Sequence, residues 1–499
     1  MKSISIRKIL IYTWIMIGIG ILCGAASADP EMITDASKTT DLSNSWIRTE
    51  IDADHGGLLN QFTAHQGSFL KPSLKNKSQM GRSSLFSLYK QHPLESKEAI
   101  ELPEEFKSKV IREASSTLVQ IQSATPSQIS LFREYRMAEI ESAFTVKTTI
   151  QNKDESSLTF YPTEIICFDA SLRNAKVPNT LAYFYSPYQP DKKTDKGFAV
   201  IRGATDKTQF NQMSDDKIFI ARYMLKTGEV KLTSDQNWLA FQNLLGQGNI
   251  KGGTVCALEY EFPDKKPETI QDNLLVYVNG MDRSLVEFPV NASDRVLKEK
   301  RLADPHIRIT YVLGKVQLAP GESFVYSTRW TAACCQGPVT DVRDGLIYNK
   351  HLEVLASPSD GSFLNFANLG VPQEGKIGFH YYDKKGRMRT IIDSEGVERP
   401  LLLVTPISHP YRASEVVPFL ATELYPLRTW ILNPEDLRNE NDTYAKLIED
   451  EIGSIQMVLV DENRNVIREL DRCNAPFKIY QEPNGGEEKK VHDKKEAGS

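Results

Sequence analysis

The chain has 499 residues, of which 40% are apolar and 25% charged, and its formal net charge is −5. That length exceeds what one hydrophobic core supports, so two domains are expected. The acidic balance, with no basic stretch carrying interleaved aromatics, argues against nucleic acid as a partner.

Residues 1–28 have the pattern of a signal peptide. Lys2, Arg7 and Lys8 form a basic start, Ile9 to Leu22 is an apolar run, and Ala26-Ser27-Ala28 offers a small-residue cleavage site. The apolar run is short for a span of ~20 residues, so the expectation is export, periplasmic or secreted, with no membrane segment once the signal is removed. Cys167, Cys256, Cys334, Cys335 and Cys473 remain in the mature chain. An odd number without regular spacing is neither a disulfide framework nor a zinc site. One bridge is compatible with an oxidising compartment, and the spacing does not choose it. No metal motif and no cofactor motif is present: there is no HExxH, and Gly246-Gln247-Gly248 and Gly252-Gly253 lie between strands, where a phosphate loop needs a helix to follow.

In chain order, residues 29–45 are polar and are expected to be a flexible lead-in. Strands begin at Trp46, and Gly56-Gly57 permits a tight turn before a second strand, Leu58 to Phe62. Residues 66–108 have no clear period and predict a surface excursion with one short helix. From Lys109 to Leu172, alternating runs joined by short turns such as Asn152-Lys153-Asp154 predict three or four antiparallel strands. Residues 170–215 read as a loop with an aromatic cluster, Tyr183, Phe184, Tyr185 and Tyr188. Further strands follow, ending in His306 to Trp330. There, two alternating runs flank Ala319-Pro320-Gly321-Glu322 and predict a closing hairpin. A linker is expected over 336–349. A second set of strands over 350–480 suggests a small Ig-like sandwich, with hairpin turns at Asp383-Lys384-Lys385-Gly386 and at Glu462 to Asn465. Asp436 to Ile452 predicts a short helix, and 481–499 a disordered tail. The fold class is all-β, a large antiparallel sandwich over 46–335 followed by the small one.

Several features together resemble the galactose-mutarotase-like supersandwich, and within it an exported bacterial branch, the DUF4380-like proteins. They are Gly56-Gly57 after a first strand, FREYRM at 132–137 with FTVKTTIQN at 144–152, Trp238 in NWLAFQN, and LAPGESFVYSTRW at 318–330. The resemblance covers about 46–333. It implies a carbohydrate site on the concave face of the large sandwich. In sugar mutarotases of this fold a His and a Glu act as acid and base. The strand that would carry that His reads SLTFYPTEIICFDASL here and has no histidine, only Glu164, Cys167 and Asp169.

The candidates for proton transfer are Glu164, Asp169 and Glu287. The candidates for holding a saccharide are Arg136, through its planar fork, and Tyr185 and Trp238, whose ring faces suit sugar CH groups. His55, His65, His92 and His306 read as surface or turn histidines. Two functions stand side by side. One is an exported carbohydrate-binding or carbohydrate-active protein, as an epimerase or a lyase-type enzyme if it is catalytic. The other is a periplasmic or surface interaction module that keeps the fold without the chemistry.

Overall fold

The computed structural model describes residues 31–33, 39–64, 67–70, 83–125, 127–169, 182–187, 201–202, 218–222, 228–232, 237–243, 253–279, 306–335, 339–357, 362–388, 390–392, 398–400, 402–408, 427–428 and 452–479. Among these residues the chain is antiparallel β-structure almost throughout, and the one helical element is a 3-10 turn, Ala53–His55.

A ten-stranded sheet carries Phe106–Arg112, Ser116–Ser123, Ile129–Ala138, Ala143–Asn152, Ser323–Cys335, Gly253–Glu261 and Trp238–Asn243 in that spatial order. A second sheet of eight strands places Leu158–Asp169 between Ser84–Tyr89 and His306–Val312. Alternation puts one apolar face of each sheet inward. The two faces meet: Phe168 stacks on Phe241, and Tyr260 lies against Tyr311, each with ring centroids 4.6 Å apart.

A third sheet, Thr39–Ser43, Ile47–Asp52, Leu58–Ala64 and Gly67–Ser68, also reaches this interior. Phe62 packs edge-on against Phe144 at 5.3 Å and Trp330 at 5.9 Å. Phe62, Phe144, Phe160, Phe168, Phe241 and Trp330 belong to one buried apolar core. Among the described residues the facing surfaces are therefore packed with aromatic and aliphatic side chains.

The all-β class and the large sandwich followed by a smaller one agree with the sequence. The small sandwich pairs a sheet containing Leu346–Ser357 and Ser362–Gly370 with one containing Gly375–Asp383, Ile452–Val460 and Val466–Asn474. Its own core includes Tyr348, Leu369, Phe379, Tyr381 and Met457. A further apolar cluster joins the two sandwiches: Trp238, Val255, Ala333 and Cys335 from the large one meet Val339, Val342 and Ile347.

Several elements differ from expectation. His306–Val312 and Ser323–Cys335 are not hairpin partners. The first belongs to the eight-stranded sheet, the second to the ten-stranded one, and Val316–Leu318 between them pairs with Leu158–Phe160. The turn itself forms: Glu322 N–H donates to the Ala319 carbonyl at 3.0 Å and Gly321 has φ +77. No helix occurs among the described residues of 66–108, where Ser84–Tyr89 is a strand buried at alternate positions. Order begins ahead of Trp46, since Thr39–Ser43 pairs with Ile47–Asp52. Ala182–Pro187, expected in a loop, pairs with Trp238–Asn243. Within the stretch expected as a linker, Asp341–Arg343 pairs as a hairpin with the start of Leu346–Ser357. Cys167, Cys256, Cys334 and Cys335 are buried and form no disulfide. The signal segment, the helix over 436–452 up to residue 451, and the tail over 481–499 lie outside the described residues.

Candidate functional site

Leu158–Asp169 turns Phe160, Glu164, Ile166 and Phe168 to one face, because residues two apart share a side. Phe160, Ile166 and Phe168 are fully buried, and Glu164 is half-buried among them. Its carboxylate accepts two hydroxyl hydrogen bonds, from Tyr326 at 2.8 Å and from Tyr260 at 3.1 Å. Both tyrosines come from the opposite sheet, where Gly253–Glu261 pairs with Ser323–Cys335. Burial, then the Glu164 charge, pushes both phenols well above their ordinary pKa. They therefore remain donors at any ordinary pH.

Arg133 enters the same interior from Ile129–Ala138. Its neighbours in phase are Leu131, Tyr135 and Met137, all buried, and Arg133 itself is 5% exposed. Burial alone would lower its pKa. The nearby Tyr135, Tyr326 and Glu164 outweigh that and hold the guanidinium above its ordinary value. One guanidinium nitrogen donates to the Gly57 carbonyl at 3.1 Å, the Tyr135 hydroxyl donates to the same oxygen, and the guanidinium lies 4.4 Å over the Phe86 ring. Gly57 has φ +77, and a Cβ there would sit 3.0 Å from Ile121 Cδ1 and from the Tyr135 hydroxyl oxygen. Only glycine brings this carbonyl so close without strain. Arg133, Tyr135, Glu164, Thr328 and Trp330 line an inner pocket of ≈ 30 Å³. That volume admits water, which needs roughly 10–15 Å³, but no sugar ring.

A larger cavity of ≈ 380 Å³ lies beside it, and the two share Leu58 and Leu85 as walls. This volume is within the ~300–1,000 Å³ of small-molecule sites. Phe86, Leu102, Phe106 and Leu131 supply apolar surface; Asp54, His55, Ser87 and Glu104 supply polar groups. The Ala53–His55 turn positions its edge, ended by Gly56 at φ +74. His55 Nδ1 lies 2.8 and 2.9 Å from the two Asp52 carboxylate oxygens. The His55 side chain is 51% exposed and that of Asp52 only 13%.

Of the residues singled out in the sequence, Glu164 lines the inner pocket. Arg136 points to the opposite face from Arg133, is exposed, and lies 3.5 Å from Glu113. Trp238 is 3% exposed and packs in the cluster between the sandwiches, so the structure does not bring it to either cavity. Asp169 ends its strand opposite His306, and Tyr185 pairs in register with Ala240 and Ile220. Glu287 lies outside the described residues. Sequence reasoning missed Arg133, Tyr260 and Tyr326, while His55 lies in an exposed turn as expected and also lines the larger cavity. For Arg133 a signal existed, since it falls in the apolar phase of its strand. Elsewhere, carboxylate oxygens of Glu259, Glu261 and Asp344 lie within 4.8 Å of one another. Glu259 accepts the backbone N–H groups of Asp344 and Gly345 at 2.9 Å each, so it anchors that turn.

No protein-family model matches this chain, and no curated protein does. Among solved structures it is similar to a galactose mutarotase-like protein from Lactobacillus casei, at 12% identity and TM-score 0.36 over 59% of this chain and 99% of that one. A galactose mutarotase-like protein from Clostridium acetobutylicum is similar at 8% identity and TM-score 0.36, over 61% of this chain and 98% of that one. A GH36 α-galactosidase from Geobacillus stearothermophilus is similar at 11% identity and TM-score 0.32, over 60% of this chain and 41% of that one. At these identities and scores the similarities assign neither an activity nor a residue role to this chain.

Proposed function

We propose that the chain is an exported saccharide-binding protein whose ligand occupies the cavity beside the Asp54–Gly57 turn. The observation that carries this reading is the lining of that cavity. Phe86 and Phe106 offer ring surface for the CH face of a pyranose, and Asp54, His55, Ser87 and Glu104 offer hydrogen-bonding groups for its hydroxyls. Export rests on the basic start, apolar run and Ala26-Ser27-Ala28 of the first 28 residues.

One observation favours binding without chemistry at Glu164. Each of its oxygens already accepts a tyrosine hydroxyl. Its pocket of ≈ 30 Å³ does not admit a sugar ring. Glu164 is then a structural carboxylate that faces Arg133, not a base. Asp169, Glu287 and Tyr185 carry no part of this proposal.

Calorimetric titration of the mature protein with neutral, acidic and amine-bearing oligosaccharides tests it. At least one class should bind, Phe106→Ala should weaken it by about tenfold or more, and Glu164→Gln should leave it unchanged. No heat from any class, or binding indifferent to Phe106→Ala, would overturn the proposal. A loss of binding in a folded Glu164→Gln variant would bring Glu164 back as a ligand-contacting group.

A further inference from the structure

We propose that the sugar this cavity selects carries a protonated amine. The inference rests on the saccharide-binding reading and adds the charge of the ligand. The charged groups in the lining are one-sided: Asp54 and Glu104 are carboxylates, and no lysine or arginine is among the described lining residues. The histidine there does not change the balance. His55 is held at Nδ1 by both oxygens of Asp52, so any charge on its ring is matched by that carboxylate. The strongest cation nearby, Arg133, belongs to the inner pocket, which it shares with Glu164.

A uronic acid or a phosphorylated sugar would set its anion against these two carboxylates, and like charges repel even where, as here, solvent reaches and partly screens them. An ammonium group meets the reverse. The carboxylates attract it, and Phe106 adds an aromatic face, on which a cation is also favoured, whereas the Phe86 ring already carries the Arg133 guanidinium at 4.4 Å. A neutral sugar gains from the walls but not from the rim. The order of affinity is therefore amine-bearing, then neutral, then acidic.

Three trisaccharides of similar size separate these cases in calorimetry on the full mature chain: a glucosamine trimer, its N-acetylated counterpart and a galacturonate trimer. The amine-bearing trimer should bind at least tenfold more tightly than the acetylated one. The Asp54→Asn/Glu104→Gln double variant should bring the two affinities together and so erase that preference. Both side chains are exposed, so the variant should keep the wild-type unfolding midpoint. Equal or tighter binding of the acetylated or galacturonate trimer overturns the inference and leaves the saccharide-binding reading standing. A preference that survives in the double variant also overturns it, because the attraction would then come from the acidic chain as a whole. Binding of none of the three removes both.

Discussion

Arg133 and Glu164 bring opposite charges into one apolar interior from opposite sheets. Such a pair is weak evidence for net stability, but removing one partner leaves the other charge uncompensated. Glu164→Leu and Arg133→Met should each destabilise the large sandwich, while the double variant loses less than their sum. Denaturant unfolding should give a coupling of about 0.5–3 kcal/mol, and strict additivity would show that the two charges do not sense each other. Gly57→Ala should cost more than ~1 kcal/mol, since it combines a positive φ with contacts to Tyr135 and Ile121. Both charged residues were visible in the sequence as breaks in an apolar phase: Glu164 between Phe160 and Phe168, Arg133 between Leu131 and Tyr135. Which strands would face each other was not visible, because it depends on pairings between segments about a hundred residues or more apart. Tyr260 and Tyr326 therefore gave no sign of converging on Glu164.

At the level of elements, strand identity was largely legible and strand partnership was not. The runs around Ala319-Pro320-Gly321-Glu322 have the right period and the right turn, yet they serve different sheets. Alternation reports only that one face is buried. Two strands packed face to face across a core show the same pattern as two strands side by side. The insertion of Val316–Leu318 as a separate short strand lets the chain cross between layers.

In the small sandwich, a single side chain ties two sheets. His351 lies 3.2 Å from Asp341, on the strand beside its own, and 3.1 Å from Asp471, on Val466–Asn474 of the facing sheet. Hydrogen bonds to Asp341 and then Asp471 push its pKa up to about 9 from the ordinary 6.5. A raised folded pKa means the stabilisation is complete below the unfolded value and is lost as pH rises through the folded one. At the acid end, burial would raise the Asp471 pKa, but the bonds from His351, Leu352 and Arg472 hold it below its ordinary value. The contribution of Asp471 is thus complete above its unfolded pKa and fades only as pH falls through the depressed one. The difference in thermal midpoint between wild type and His351→Gln should be large near pH 6 and close to zero by about pH 10. A difference that stays constant across that interval would remove protonation of His351 as its source.

For the molecule as a whole, the two sandwiches meet through polar as well as apolar contacts. Glu141 lies 2.7 Å from Arg329 of the large sandwich and 3.9 Å from Arg468 of the small one. The Ser142 hydroxyl donates to the Ala332 carbonyl at 2.5 Å, and its backbone N–H donates to the Pro372 carbonyl at 2.7 Å. Burial, and then the charge of Arg329, lowers the pKa of Arg468. Glu141→Ala leaves two neighbouring cations without their shared carboxylate, at a cost of about 1–3 kcal/mol given their partial exposure. Scanning calorimetry should then resolve two unfolding transitions where wild type shows one. A single transition in the variant would place the coupling in the apolar cluster alone.

That cluster bears on how the gene can be divided. A polypeptide stopped at Cys335 would leave Trp238, Val255 and Ala333 bare along a greasy seam, and its missing half would begin with the matching Val339, Val342 and Ile347. Produced separately, each fragment should clump; produced together in one cell, they should find one another and restore a soluble whole.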